Sequence, residues 1–314
     1  MTKRIIVLGS MRSGTSLVAE LTRLWGAYAG RDADLWKSDI NNPRGYGYME
    51  YIPLQDFNDE LLDHNDRVPP SSQLMEQKAE DPELKKKAMD LIQAMDERAK
   101  ENGAPAWVWK DARLPLTIPF WTKLWGDVIY VNTVRHPAEI TLSAAKAQEF
   151  QEEEPPYSAG LLYWQYCMLN VLSYTQEHPA KIFIEYGQLT NHPQQECIRL
   201  AQFLDAHCNM PQESAASRTE TMLASVAKSQ RHYHYKKSLA EMEQVTREQR
   251  ALYNFLRVKT IHPDEPFKRE DFELYPGWME YLQSMDMLLT LSDKLDTWAT
   301  QEPDQYSSDT NEPH

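Results

Sequence analysis

The stretch Ile5-Ile6-Val7-Leu8, running into Gly9-Ser10-Met11-Arg12-Ser13-Gly14-Thr15-Ser16, constrains this chain more than any other. Four apolar, mostly β-branched residues closed by a glycine have the profile of a central strand buried on both faces. Beyond Gly14 the period changes, with Leu17, Leu21, Leu24, Trp25 and Tyr28 recurring at helical spacing and Gly30 as the expected stop. Strand, tight glycine loop and helix in that order aim backbone N–H groups and the positive end of a helix dipole at one point, where an anion binds. The two glycines have the spacing of a phosphate-binding loop.

Three further runs read as strands: Val128 to Val134, Lys181 to Glu185 and the shorter Trp107 to Lys110. Each is followed by helix-like sequence, so the expected fold class is α/β, a central parallel sheet flanked by helices. Strand signals fade beyond Gly187, which predicts a helical C-terminal part. Pro193 to Ala206 places Cys197, Ile198, Leu200, Ala201, Phe203 and Leu204 at core-facing helical spacing, Thr246 to Gln249 forms a capping box, and Leu282 to Trp298 makes a last amphipathic helix. No repeat or low-complexity linker divides the chain. Residues 1–300 are therefore expected to form a single domain, and residues 301–314 a polar, acidic, disordered tail.

The charge balance narrows the partners. With 33 Lys and Arg against 47 Asp and Glu, the net charge of −14 argues against nucleic acid and anionic membranes as partners. Any anion site must be built locally. Three cysteines, Cys167, Cys197 and Cys208, have no CxxC or metal-knuckle spacing, so a reducing cytoplasm is expected, with no disulfide framework and no metal. No run of 18 apolar residues is present, and Ile5 to Leu8 is too short for a signal peptide's hydrophobic region. The oligomeric state stays open.

The loop departs from the nucleoside triphosphate pattern at one position. The lysine expected after the second glycine is Thr15, and the only cation inside the octet is Arg12. Kinases and ATPases set that lysine, with Mg²⁺, against the terminal phosphates. A loop without it suits a group with less charge to neutralise, such as a sulfuryl group carried on a single phosphate.

Here the chain resembles the PAPS-dependent sulfotransferase family, whose bacterial and carbohydrate-type members open with a strand and a loop like the segment Arg12 to Ser16. The resemblance implies the P-loop-like sulfotransferase fold and a cosubstrate, 3′-phosphoadenosine 5′-phosphosulfate, whose 5′-phosphosulfate lies on Arg12, Ser13, Gly14, Thr15 and Ser16. A second mark is an Arg at the end of a central strand with a Ser eight residues on, here Arg135 and Ser143, which the family places on the donor's 3′-phosphate. The spacing also has local sense: Pro137 starts a helix, and Ser143 then falls in its second turn, near enough to share an oxyanion with Arg135. Trp107 to Leu114 is similar to the WxxKDPR segment of bacterial members, with Ala112 in place of proline. Phe183 to Leu189 is similar to their YEDL segment, with Gly187-Gln188 in place of the acidic pair.

Sulfuryl transfer needs cations on the sulfonate oxygens, a grip on the leaving phosphate and a base for the acceptor's proton. Arg12 and Lys110 are the catalytic cations expected. The segment Asn42 to Glu50 resembles the NPxGYxE segment of bacterial members, with an extra Gly-Tyr before Glu50. Glu50 is the expected base, with Asp111 and His64 as alternatives. Lys228 to Lys237 is the strongest basic cluster in the chain; it reads either as a donor clamp, with Arg231 on the cosubstrate, or as a loop that only balances charge.

On the acceptor side, residues 31–67 hold nine acids, among them Asp32, Asp34 and Asp39, against four bases, with Trp36, Tyr46, Tyr48 and Tyr51 interleaved. Two readings stand: an acidic solvated surface, or carboxylates and aromatic faces that select a small polar, cationic acceptor. The expected function is sulfuryl transfer to a hydroxyl or amine of a small molecule. The competing classes are a P-loop nucleotide-dependent kinase and a noncatalytic nucleotide-binding protein.

Overall fold

The computed structural model describes residues 2–36, 47–63, 69–146, 157–175, 177–210, 215–228, 245–261, 278 and 281–288. The described elements, in chain order, are β1 (Lys3–Leu8), α1 (Thr15–Trp25), α2 (Ile52–Leu61), α3 (Ser72–Lys78), α4 (Pro82–Glu101), β2 (Ala106–Lys110), α5 (Leu114–Trp121), β3 (Val128–Val134), α6 (Pro137–Lys146), α7 (Tyr157–Thr175), β4 (Lys181–Glu185), α8 (Tyr186–Asn191), α9 (Pro193–Cys208), α10 (Ala215–Lys228) and α11 (Arg247–Ile261). All four strands pair in parallel, in the order β2-β1-β3-β4.

Alternation along each strand splits the core in two. Ile5 and Val7 of β1, Val108 of β2, Ile129 and Val131 of β3, and Ile182 and Ile184 of β4 face a layer that includes Leu17 and Leu21 of α1 and Leu200 and Leu204 of α9. Ile6 and Leu8, Trp107 and Trp109, and Val128 and Tyr130 face the opposite way, against α2 to α5. Val134 and Phe183 meet α7 and α11 on that second side. A strand covered on both sides must be apolar at every position, which is why β1 reads as an unbroken apolar run rather than an alternating one. Full burial of one such aliphatic side chain contributes about 1.5–3 kcal/mol.

The strand predictions agree with the structure to within a residue or two, and Pro193–Cys208 takes the expected helix, although Ile198 is exposed and Phe203 only partly buried, because the face that packs on the sheet is the narrower one of Cys197, Leu200, Ala201 and Leu204. The capping box is present: Gln249 N–H donates to Thr246 Oγ1 at 3.2 Å, and Thr246 N–H to Gln249 Oε1 at 3.1 Å. Helix α1 ends sooner than expected. It stops at Gly26, whose N–H reaches the Arg23 carbonyl at 3.0 Å, and Tyr28 is extended instead, bridging to Trp107. Gly26 supplies the positive φ that a helix stop favours, and pairing with β2 then takes over the backbone of Tyr28. Of the predicted helix at Leu282 to Trp298, residues 281–288 are described and helical; the rest, and the tail at 301–314, lie outside the described residues. No helix among the described residues is long and apolar enough to cross a membrane.

The strand order sets the shape of the sheet's carboxyl edge. The chain passes from β1 to β2 on one side of the sheet's centre and then to β3 on the other, so the loops after β1 and β3 diverge at the carboxyl edge. That divergence opens the crevice in which α/β sheets of this kind hold their ligands.

Candidate active site

The loop after β1 turns tightly, with Ser13 N–H donating to the Ser10 carbonyl at 3.2 Å, and its glycines are required by what surrounds them. A Cβ on Gly9 would lie 2.1 Å from Thr133 Oγ1 and 2.9 Å from the Thr133 carbonyl oxygen. One on Gly14, where φ is +101°, would lie 2.4 Å from the Tyr186 ring. Ser13 Oγ and Thr133 Oγ1 share a 2.7 Å hydrogen bond, and the Thr133 hydroxyl also donates to the Leu8 carbonyl at 3.0 Å, so β3 holds the floor of the loop. Arg12 takes a left-handed conformation with φ 62°, a strained choice for a residue other than glycine.

Arg12 is held there from β3 and α6. Arg135 Nη1 donates to the Arg12 carbonyl at 2.9 Å, and Arg12 Nε donates to Ser143 Oγ at 3.1 Å. The Arg135 guanidinium is itself fixed. Its Nε reaches Glu139 Oε2 at 3.1 Å, one helical turn on, and it lies 4.5 Å from the centre of the Tyr186 ring. The structure thus brings together Arg12, Ser13, Gly14, Arg135 and Ser143, with Thr15 and Ser16 opening α1 behind them.

A second group lies at the end of β2, where Lys110 pairs in register with Val7. Lys110 Nζ donates to Glu50 Oε1 in an ion pair, and both residues are only 3% exposed. The Ala112 N–H donates to the same carboxylate oxygen at 3.3 Å. Asp111 points elsewhere. It accepts from Arg113 N–H at 2.9 Å and from Asn58 Nδ2 at 2.8 Å, and Asn58 Oδ1 in turn accepts from Thr117 Oγ1 and Trp121 Nε1. Burial, and next the charge of Glu50, push the Asp111 carboxyl up to about 6. Those bonds make Asp111 a staple between α2 and the β2–α5 turn, with both oxygens engaged. Since Glu50 lies two residues before α2, the staple also sets where its carboxylate stands.

His64 and Arg231 lie outside the described residues, as do residues 42–46 of the segment leading to Glu50 and most of the basic cluster. On the proposed acceptor side, Asp34 is already engaged: Arg31 holds its carboxylate at 2.7 and 3.1 Å and keeps it below the usual carboxylate range. Trp36 stacks on Tyr48 at 4.8 Å between ring centres. Burial pushes the thiols of Cys167, Cys197 and Cys208 up to about 12, so none is a ready nucleophile. Among the described residues, no group of three or more His, Cys, Asp or Glu could hold a metal ion.

Three residues of this arrangement were not singled out from the sequence. Glu139 had a signal, since a carboxylate four residues after Arg135 falls on the same side of a helix start. Tyr186 falls in the segment similar to YEDL but was given no role there, and Asn58 had no signal, because its partners are distant in the chain. Two surface grooves, of about 720 Å³ around His192 and Arg199 and about 400 Å³ between α2 and α4, lie away from this chemistry.

The parallel α/β sheet thus carries a tight glycine loop after β1 that is bonded to Arg135, just beyond β3, and to Ser143 of α6. A family model described as "Sulfotransferase family" matches residues 4–210, well over half the chain, and the chain belongs to that family. Similar solved structures include the sulfotransferase domain from the curacin biosynthetic pathway (20% identity over 92% of this chain and 98% of that one, TM-score 0.39). The sulfotransferase STF9 from Mycobacterium avium is similar at 13% identity over 82% of this chain and 76% of that one, with TM-score 0.47. The sulfotransferase domain from the Synechococcus PCC 7002 olefin synthase is similar at 13% identity over 96% of each chain, with TM-score 0.42. No curated protein matches.

Proposed function

We propose that this sulfotransferase takes the sulfuryl group of 3′-phosphoadenosine 5′-phosphosulfate and passes it to a hydroxyl or amine of a small-molecule acceptor. The observation that carries the proposal is the joining of Arg12, Arg135 and Ser143 through two hydrogen bonds at the carboxyl edge of β1 and β3. Two anionic groups of one donor, the 5′-phosphosulfate on the loop and the 3′-phosphate on Arg135 and Ser143, suit a cation set that is already linked.

In the transfer, the acceptor oxygen or nitrogen forms a bond to sulfur, and the bond from sulfur to the bridging oxygen breaks. The electron pair leaves on 3′-phosphoadenosine 5′-phosphate. Arg12 and the N–H groups opening α1 stabilise charge on that leaving phosphate, and Lys110 meets the sulfonate oxygens. Glu50 takes the acceptor's proton. To do so it must give up Lys110, and a sulfonate competing for the ammonium supplies the exchange. Lys110 and Glu50 thus satisfy each other until a substrate divides them, which limits the cost of burying both charges.

The experiment is calorimetry with 3′-phosphoadenosine 5′-phosphate. Binding that is lost in Arg135→Ala while the fold persists by circular dichroism supports the donor assignment. No binding to the unaltered protein refutes it.

A further inference from the structure

Thr133 and Arg135, two residues apart at the end of β3, reach consecutive residues of the loop after β1. Arg135 Nη1 donates to the Arg12 carbonyl at 2.9 Å, and Thr133 Oγ1 lies 2.7 Å from Ser13 Oγ. Residues two apart on an extended chain share a face, so one face of the β3 end grips the loop twice. Lower on that face β3 is aliphatic, with Ile129 and Val131 in the core. Thr133 continues the same row with a hydroxyl, and it and Ser13 are each only 1% exposed.

The two hydroxyls form a chain with one direction. A hydroxyl has one proton, and a carbonyl oxygen only accepts. The Thr133 hydroxyl donates to the Leu8 carbonyl at 3.0 Å, so Ser13 is the donor in its 2.7 Å contact with Thr133. The Ser13 N–H is engaged as well, by the Ser10 carbonyl at 3.2 Å. Ser13 therefore has neither an N–H nor an O–H proton left for a bound anion. Gly9 makes the chain possible: a Cβ there would lie 2.1 Å from Thr133 Oγ1 and 2.7 Å from Ser13 Oγ, in the space beside both hydroxyls.

We propose that Thr133 is a positioning residue for the sulfuryl donor: by accepting the Ser13 proton it holds the loop in the shape that presents Arg12 and the N–H groups opening α1 to the 5′-phosphosulfate. Ser13 then acts inward on the loop and not on the ligand. This rests on the donor assignment proposed above and deepens it. The left-handed backbone of Arg12, at φ 62°, needs such restraint, and it is held at its own carbonyl by Arg135 and at the next residue by Thr133. A valine at position 133 would fill the same space but leave the Ser13 proton buried without its acceptor, so the loop would turn to find another.

Calorimetry with 3′-phosphoadenosine 5′-phosphate on a double-mutant cycle tests this. Thr133→Val should weaken binding about tenfold, whereas Thr133→Ser, which keeps the hydroxyl, should stay within about threefold of the unaltered protein. Ser13→Ala should weaken binding in the unaltered background but by at most about twofold in the Thr133→Val background, where the proton it removes has already lost its acceptor. Thr175→Val removes a buried hydroxyl bonded to the Val171 carbonyl at the end of α7; it should lower the melting temperature with binding unchanged, which separates positioning from a general loss of stability. If Thr133→Val does not melt cooperatively, Thr133→Ala replaces it in the cycle. Unchanged affinity in Thr133→Val, an equal loss in Thr133→Ser, or a full further loss when Ser13→Ala is added overturns the inference and leaves the donor assignment standing. The last of these would mean that the Ser13 hydroxyl touches the ligand. No binding by the unaltered protein overturns both.

Discussion

Arg12 Nε donates to Ser143 Oγ at 3.1 Å across 131 residues of sequence, so the loop proposed for the donor's 5′ end is bonded to the serine proposed for its 3′ end. The two should not act independently. Ser143→Ala should weaken binding of 3′-phosphoadenosine 5′-phosphate by about tenfold, the loss of one charge-assisted hydrogen bond. Arg12→Ala should cost more, and the double variant less than the product of the two. A calorimetric double-mutant cycle measures this, and strictly additive effects would show that the bond carries no coupling.

The glycine at the head of α1 gives a sharper steric test. Gly14→Ala places a Cβ against Tyr186 at a φ of +101°, whereas Gly103→Ala, also at positive φ, meets nothing within 4 Å. The first should lower stability by about 2 kcal/mol or more and weaken nucleotide binding, and the second by about 1 kcal/mol with binding intact. Thermal melts and calorimetry on the pair separate contact from backbone strain. Equal losses would place the whole cost in the backbone.

Removing one half of the buried ion pair should be worse than removing both. Lys110→Met leaves Glu50 buried without its cation, and Glu50→Gln leaves Lys110 without its anion, each at about 3–5 kcal/mol. The double variant Lys110→Met with Glu50→Gln should recover part of that in a chemical denaturation curve. Turnover should fall about 10²-fold or more in every one of these variants, since the double lacks both groups.

Asp111 makes stability depend on pH in a defined direction. Its carboxyl is raised from 3.8 to about 6 in the folded protein, so between those values the folded chain holds a proton that the unfolded chain has released. Stability contributed by that proton is present below pH about 4 and is lost as pH rises through about 6. Asp111→Asn should flatten this part of the pH–stability profile; an unchanged slope in urea melts between pH 4 and 7 would assign the dependence to other groups.

Metal dependence separates sulfuryl from phosphoryl transfer. With Thr15 where a nucleotide kinase has lysine, turnover should persist in excess EDTA. Loss of turnover on chelation, restored by Mg²⁺, would favour the kinase class.

The extent to which these features were legible follows from what each depends on. β1 and its loop were readable because strand burial and turn geometry act over a few adjacent residues. The resemblance assigned Arg12 to one end of a donor and Arg135 with Ser143 to the other, but the hydrogen bonds that join Arg12 to both had no signal in the sequence, because 123 and 131 residues separate the partners. Helix α1 was overextended because Tyr28 fits a helical period as well as it fits an edge contact with Trp107, and only the fold decides between them. Asn58 was invisible for a related reason. An asparagine on a helix usually meets water, and nothing nearby in the sequence shows that this one accepts from Trp121 and donates to Asp111. The acidic run at residues 31–67 reads the same in sequence whether its carboxylates face a ligand or are held by an arginine, as Asp34 is by Arg31, because a count of carboxylates does not show their partners.

The place of β1 at the centre of the sheet has a consequence for how the chain is made. Its neighbours β2 and β3 begin at Ala106 and Val128, so β1 leaves the ribosome roughly a hundred residues before either strand can pair with its edges. At about 5–20 residues per second, that strand waits for at least several seconds with both edges open. The strand that leads into the candidate active-site loop is therefore also one whose pairing edges stay open through much of synthesis.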